Sequence, residues 1–143
     1  MIAYLDTSAL VKLYVSEEGS EIVRRALTQA TVAATCQIAY AETRAAFSRT
    51  WREGLLSESD YRRTIALFRA DWDRYLALAV SDKIVLLAGD LTEYHHLRGF
   101  DAIHLASLIT LRQQTQEPVT ALCWDTRLKS AMCDCGFSVL PVP

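Results

Sequence analysis

Near its start the chain reads Ile2-Ala3-Tyr4-Leu5-Asp6-Thr7-Ser8-Ala9-Leu10, an apolar run that ends in a carboxylate and passes into a helical pattern. If that run is a buried strand of an α/β protein, Asp6 lies at the strand's carboxyl end, where ligand sites occur. The same arrangement recurs later in Thr120-Ala121-Leu122-Cys123-Trp124-Asp125-Thr126-Arg127-Leu128. Two strands that each deliver an Asp-Thr step to one edge of a sheet predict a site built from acids.

Short apolar strands alternate with helical patterns along the whole chain. Ser57 is a typical residue to begin a helix, and Gly54 and Gly99 are typical residues to follow the end of one. The alternation predicts a three-layer α/β sandwich, with a central, mainly parallel sheet of short strands flanked by helices. Strands are predicted at 2–6, 31–36, 78–80, 119–124 and 137–140, and helices at 7–15, 21–29, 38–52, 58–76, 82–97, 101–116 and 126–133.

The composition predicts one domain spanning residues 1–143. Hydrophobic residues make up 51% of the chain and its net charge is −2, so the molecule as a whole does not attract nucleic acid. No apolar run reaches the ~18 residues of a membrane span, and no signal peptide is visible. We therefore expect a cytoplasmic protein without membrane contact, whose four cysteines are reduced thiols.

The third predicted helix contains an acid on an otherwise small and apolar face. Glu42 shares that face with Ile38, Ala45 and Ala46. A carboxylate there is costly to bury unless a cation meets it, so the position favours function over an exposed glutamate at the edge of the face. Seven arginines lie between residues 44 and 74. They are a weak indication of phosphate binding, for which Arg44 and Arg49 are candidates.

Three aspartates have structural explanations that remain open. Asp6 and Asp125 each stand where a helix begins and can cap it. Asp101 precedes the most apolar helix, where a carboxylate is favoured by the helix dipole, and Arg98 is a candidate partner. Each explanation is credible alone, but all of these acids fall at strand ends or on helices predicted to be buried.

If Asp6, Glu42, Asp101 and Asp125 converge, their mutual repulsion calls for a cation. Oxygen ligands suit Mg²⁺ or Mn²⁺, which can activate a water for attack on a phosphodiester. We interpret Thr7 and Ser8 as supporting residues, because no partner or motif indicates that Ser8 is a nucleophile. His104 is interpreted as a packed, hydrogen-bonded imidazole, since its helix is almost wholly apolar.

These motifs resemble those of the PIN-domain ribonucleases, and within them the VapC-type toxins of prokaryotic toxin–antitoxin pairs. The resemblance covers essentially the whole chain. Residues 4–10 are similar to the family's first motif, Ala41-Glu42 to the second, and Asp125 with the following helix to the fourth. The most specific stretch is Leu97-Arg98-Gly99-Phe100-Asp101-Ala102-Ile103-His104-Leu105-Ala106. One departure is Cys123, which stands two residues before the fourth acid, where the family often has Thr or Ser.

The resemblance implies a Mg²⁺- or Mn²⁺-dependent endoribonuclease that hydrolyses RNA as the toxin of a type II toxin–antitoxin system. It implies that Asp6, Asp101 and Asp125 surround the metal, with Glu42 binding directly or through water. It also implies a homodimer and a cognate antitoxin whose tail occupies the acidic groove. The alternative is a non-catalytic module of the same fold, whose acidic groove only docks a basic partner peptide.

Overall fold

The computed structural model describes residues Met1–Pro143 and contains five strands and seven α-helices. A short 3-10 helix, Trp72–Arg74, follows α4. The strands are β1 (Ile2–Leu5), β2 (Val32–Cys36), β3 (Leu76–Leu78), β4 (Val119–Leu122) and β5 (Ser138–Leu140). The helices are α1 (Thr7–Tyr14), α2 (Ser20–Gln29), α3 (Ile38–Arg52), α4 (Glu58–Asp71), α5 (Asp82–His95), α6 (Gly99–Gln114) and α7 (Thr126–Asp134).

All five strands form one parallel sheet in the order β3-β2-β1-β4-β5. The central strand β1 pairs with β2 on one side and β4 on the other, and Leu5 is in register with Leu122. The carboxyl ends of these strands therefore meet at one edge, as the fold class predicted. The backbone amide of Asp6 donates to the carbonyl of Leu122 (3.2 Å), so pairing continues up to the first acid.

Two hydrophobic cores lie on the two faces of the sheet. Side chains of β1 alternate between them: Ile2 and Tyr4 join the core beneath α5, α6 and α7, whereas Ala3 and Leu5 join the core beneath α1, α2 and α3. A third cluster fills the space between α3 and α4. Its buried members are Phe47, Tyr61, Ile65 and Phe68. The predicted three-layer α/β sandwich is thus confirmed.

Several predicted boundaries are wrong. The fourth helix ends at Asp71 instead of continuing to 76, and the third strand occupies Leu76–Leu78 instead of 78–80. Pairing of this strand with β2 outweighs the helical spacing of the aromatic residues before it. Gly99 does not follow a helix end: α5 is closed by His96 in the left-handed conformation (φ 55°), which frees Gly99 to begin α6. No helix is both long enough and apolar enough to cross a membrane.

Candidate active site

Asp6 lies between β1 and α1 and is almost fully buried, at 2% exposure. Its Oδ1 accepts the backbone amide of Ala9 (2.9 Å) and the hydroxyl of Ser8 (2.6 Å), so the capping explanation is correct. Its Oδ2 accepts the thiol of Cys123 (3.0 Å). Burial raises the pKa of Asp6, and the charge of His104 and these hydrogen bonds only partly oppose that rise. Capping therefore uses one oxygen and leaves the other facing the end of β4.

Asp125 lies just after β4 and caps α7, with Oδ1 accepting the amide of Leu128 (2.9 Å). Two contacts join this segment to the Asp6 loop. The backbone amide of Trp124 donates to the Ser8 hydroxyl (2.8 Å), and the Cys123 thiol donates to Oδ2 of Asp6 (3.0 Å). The two Asp-Thr steps therefore meet at one edge of the sheet, as predicted.

Asp101 lies in the first turn of α6 and is half-buried. The side chain of Arg98 joins it to Asp125: Nε donates to Oδ2 of Asp101 (3.2 Å), and a terminal nitrogen donates to Oδ2 of Asp125 (3.3 Å). Burial and the negative charge of Asp125 raise the pKa of Asp101, against the opposing effect of Arg98. The guanidinium thus occupies the position between two carboxylates that repel each other.

Glu42 lies in the second turn of α3 and is partly buried. Its Oε1 accepts the hydroxyl of Thr7 (2.7 Å) and lies 3.0 Å from Nε2 of His104. Burial acts to raise the pKa of Glu42, but the hydrogen bonds from His104 and Thr7 outweigh it and the pKa falls. Glu42 is therefore a carboxylate with one oxygen fixed by the chain, while Oε2 makes no hydrogen bond to it.

His104 is the site residue that the sequence interpretation undervalued. It is a packed, hydrogen-bonded imidazole as predicted, but its contacts go to the site. Besides Glu42, it lies within 3.2 Å of the Thr7 hydroxyl and 3.0 Å of the Tyr4 hydroxyl, and its Nδ1 lies 3.4 Å from the Cys36 sulfur. His104 lies three residues after Asp101 and therefore on the same face of α6, and this spacing could have identified it as a site residue.

The ring of His104 supplies positive charge beneath the acids. Burial acts to lower its pKa, but the hydrogen bonds with Cys36 and Glu42 and the charge of Asp6 outweigh burial and raise the pKa to about 10. At neutral pH the ring is therefore an imidazolium. It balances part of the negative charge that Asp6 and Glu42 bring into the interior.

The structure brings all four predicted acids into one connected network. Cys123 joins Asp6 to the Asp125 segment, and Arg98 joins Asp125 to Asp101. The positive charge of His104 lowers the pKa of Glu42 and opposes the rise in the pKa of Asp101. Thr7 and Ser8 support Glu42 and Asp6, respectively. No three acidic, histidine or cysteine side chains, however, stand ready as a set of metal ligands.

The two candidate substrate-binding arginines are placed differently. Arg44 is two residues after Glu42, about 200° around α3, and its guanidinium donates to the Tyr40 hydroxyl (3.0 Å). Arg49 is seven residues after Glu42, which returns it to the same face of the helix, and it is exposed. Only Arg49 therefore shares the face of α3 that carries the site acid.

The chemistry of this donor set fits a hard divalent ion. The side chains of all four acids offer only oxygen ligands. Asp101 and Asp125 already bind the guanidinium of Arg98 through Oδ2. The fit has one condition: Oδ2 of Asp125 must exchange Arg98 for the ion, because Oδ1 of Asp125 caps α7.

Comparisons with known proteins agree with this architecture. Residues 3–114 match the model of the PIN domain family, a range that includes three of the four acids and ends before Asp125. The chain is 31% identical to Ribonuclease VapC49 of Mycobacterium tuberculosis over 98% of its own length and 95% of that protein's. It is 34% identical to Ribonuclease VapC46 of the same species, over 96% and 95% of the two lengths.

Solved structures share the fold. The chain superposes on FitAcB from Neisseria gonorrhoeae with a TM-score of 0.70 at 15% identity, covering 97% of this chain and 96% of that one. A VapBC2 complex from Rickettsia felis, bound to a DNA fragment from its promoter, gives a TM-score of 0.65 at 14% identity, with 97% of each chain covered. The family match and the ribonuclease relatives place this chain in the PIN-domain family, among the VapC-type toxins.

Proposed function

We propose that this protein is a metal-dependent endoribonuclease that hydrolyses RNA phosphodiester bonds as the toxin of a type II toxin–antitoxin system. The observation that carries the proposal is the connected network of acids at the carboxyl edge of the sheet. Its members come from four separate parts of the chain, and capping explains only one oxygen each of Asp6 and Asp125. The ribonuclease relatives support the same chemistry.

Three of the four acids would hold an ion, and Glu42 would orient the attacking water. Asp6, Asp101 and Asp125 would hold Mg²⁺ or Mn²⁺, and Glu42 would bind directly or through water. When bound, such an ion neutralises phosphate charge and lowers the pKa of a water molecule. Glu42, held through Oε1 by Thr7 and His104, has Oε2 free to accept a proton from the attacking water. That water would attack phosphorus as the bond to the leaving oxygen breaks.

Substrate contact is assigned to arginine. Arg49 is exposed on the Glu42 face of α3, so it is better placed than Arg44 to contact the RNA backbone. We expect Arg49→Ala to raise KM for RNA with little change in kcat, because a phosphate contact outside the reacting group binds substrate and transition state alike.

The test compares cleavage by matched variants. The purified protein with Mg²⁺ or Mn²⁺ should cut structured RNA, whereas Asp6→Asn and Asp101→Asn should not. Asp90→Asn, which removes an exposed acid from α5, is the matched control and should cut like the wild type. Equal cutting by all variants would indicate a contaminating nuclease and would contradict the proposal.

One observation favours the alternative of a docking module. Arg98 shows that Asp101 and Asp125 accept a guanidinium, as they would accept a basic side chain from a partner peptide. Calorimetry with Mg²⁺ and Mn²⁺ separates the two functions, because a docking module has no need to bind either ion. If the wild-type protein binds neither Mg²⁺ nor Mn²⁺, the docking function is favoured.

Two partners complete the proposal. One is a cognate antitoxin with a basic tail, consistent with the toxin–antitoxin complexes among the structural neighbours.

The other partner is a second copy of the chain, because α5 and the start of α6 expose apolar side chains. They are Val85, Leu86, Tyr94 and Phe100. Sedimentation of the wild type and Leu86→Glu should show a dimer and a monomer, respectively.

A further inference from the structure

Arg98 is an exposed cation held by two acids from different helices. It immediately precedes α6, and 75% of its side chain is accessible to solvent. Even so, its guanidinium forms two ion pairs, with Oδ2 of Asp101 at 3.2 Å and with Oδ2 of Asp125 at 3.3 Å. No other lysine or arginine pairs with either carboxylate. One side chain therefore serves both carboxylates and offsets one of their two negative charges.

The two carboxylates share this cation. They come from the first turn of α6 and the cap of α7, and the Oδ2 atom of each lies within 3.3 Å of one guanidinium. A tethered guanidinium offsets part of their negative charge without any ion from solution. Because most of Arg98 is in water, its ion pairs are weak and readily exchanged.

We propose that Arg98 is a built-in counter-ion that occupies the Asp101 and Asp125 oxygens until a divalent ion replaces it. The inference rests on the proposed function, because it takes these aspartates as metal ligands. Because Oδ1 of Asp125 caps α7, a metal ion and the guanidinium compete for Oδ2 of Asp125, so the two exclude each other there. Arg98 therefore lowers the affinity for the metal, and metal binding releases its side chain at the edge of the site.

Calorimetric titration of Mg²⁺ and Mn²⁺ into four proteins tests this exclusion: the wild type, Arg98→Ala, Arg98→Lys and Arg127→Ala. Arg127 is the matched control because it is exposed, lies two residues after Asp125 and forms no ion pair. Removing a charge that directly contacts both ligands should tighten metal binding by about 3- to 10-fold in Arg98→Ala. Arg127→Ala should stay within about 2-fold, and Arg98→Lys should fall between the wild type and Arg98→Ala.

NMR spectroscopy detects the side chain of Arg98 directly. In protein labelled with ¹⁵N-arginine, the Nε–H of Arg98, identified by its absence from Arg98→Ala, should shift and exchange faster with water as Mg²⁺ is added. The Nε–H signals of other arginines should not follow the same titration. An Arg98 signal unchanged at saturating Mg²⁺ would show that the guanidinium stays in place and would overturn the inference.

The outcomes separate this inference from the proposed function. If Arg98→Ala binds metal no tighter than the wild type, or if Arg127→Ala gains as much, the counter-ion role is wrong. If in that case Asp101→Asn still loses metal binding, the metal site itself survives. If neither the wild type nor Arg98→Ala binds a divalent ion, the metal site and the counter-ion role are both overturned.

Discussion

His104 links Glu42 to Tyr4, Thr7 and Cys36. Replacing it with Leu leaves the hydroxyls of Tyr4 and Thr7 and one oxygen of Glu42 without this partner. We expect His104→Leu to lower the free energy of unfolding by about 1–3 kcal/mol, the cost of leaving buried polar groups unpaired. Cleavage should fall further than the unfolded fraction explains, because Glu42 loses the donor that orients it. Urea unfolding and cleavage rates measure the two effects.

His104→Gln is the control for that change. Its amide retains a donor for Glu42 but not the positive charge, so its cleavage rate should lie between those of the wild type and His104→Leu. Full activity of His104→Leu at the wild-type unfolding free energy would show that the imidazole only fills space.

The charge of His104 makes the stability depend on pH. Its pKa is raised from 6.5 to about 10 on folding, so the folded state binds a proton more tightly than the unfolded state. The contribution is complete below pH 6.5 and is lost as the pH rises toward 10. We expect the metal-free wild type to lose unfolding free energy between pH 6.5 and 9, whereas His104→Leu should lose less. Parallel urea unfolding curves across that range would contradict the shift.

Single residues also show what the sequence could predict about the site. Asp6 and Asp125 were predictable both as caps and as site acids. The capping is confirmed, and each carboxylate keeps a second oxygen for the proposed metal site. Cys123 departs from the hydroxyl residue that the family often has, yet its thiol donates to Asp6. The support from His104 was not predictable in detail, since it depends on contacts with three other elements.

At the scale of elements, Asp125 both caps α7 and belongs to the candidate site. Asparagine caps a helix about as well as aspartate, so Asp125→Asn should keep wild-type stability, while Asp125→Ala should lose about 1 kcal/mol. Both should lose cleavage, because neither offers a carboxylate to the metal. Urea unfolding with RNA cleavage assays measures both properties.

Ser57→Ala is the matched cap control for that comparison. Ser57 caps α4 by accepting the amide of Asp60 and takes no part in the site, so it should cost similar stability and no activity. Full cleavage by Asp125→Asn would show that Asp125 only caps α7.

The loop before α2 packs against the end of β4 at Gly19. A methyl group there would lie 2.7 Å from the indole of Trp124, and the backbone has φ +90°. Gly19→Ala should cost about 1–2 kcal/mol for the left-handed backbone, and overpacking should add about 1–3 kcal/mol. Cleavage should fall too, because the Trp124 amide contacts Ser8 beside Asp6. Thermal unfolding and cleavage rates measure these losses.

Gly54→Ala separates the two costs of that substitution. Gly54 also has positive φ (+75°), but its methyl group would meet no atom within 4 Å. It should therefore show the backbone cost alone and keep full activity. Equal unfolding free energies for the two variants would show that Trp124 moves aside without cost.

Element types were more predictable than element ends. Local periodicity indicated the strands and helices, but pairing of β3 with β2 ends the preceding helical segment, and His96 takes the left-handed cap expected of glycine. Such ends are decided by contacts between elements, which a local pattern does not contain. The errors at α4 and β3 lie away from the acids, whereas the error at Gly99 borders the first turn of α6, which contains Asp101.

At the scale of the whole molecule, the parallel sheet is what brings distant acids together. The order β3-β2-β1-β4-β5 sets β1 beside β4, so residues 6 and 125 lie at the same sheet edge although they are 119 positions apart in the chain. The sequence predicted this convergence from the repeated Asp-Thr step. It offered Arg98 only as a partner of Asp101, because its second contact requires α7 to pack beside α6.

On the proposed function, a metal ion bound by the converging acids stabilises the entire fold. An ion that binds only the folded chain adds RT ln(1 + [ion]/Kd), about 2.7 kcal/mol at 100 times Kd. We expect saturating Mg²⁺ or Mn²⁺ to raise Tm and excess EDTA to reverse the rise. Asp101→Asn should show little rise, and Asp90→Asn should behave like the wild type because its acid is exposed on α5. An equal rise in Asp101→Asn would mean that the stabilising ion binds elsewhere.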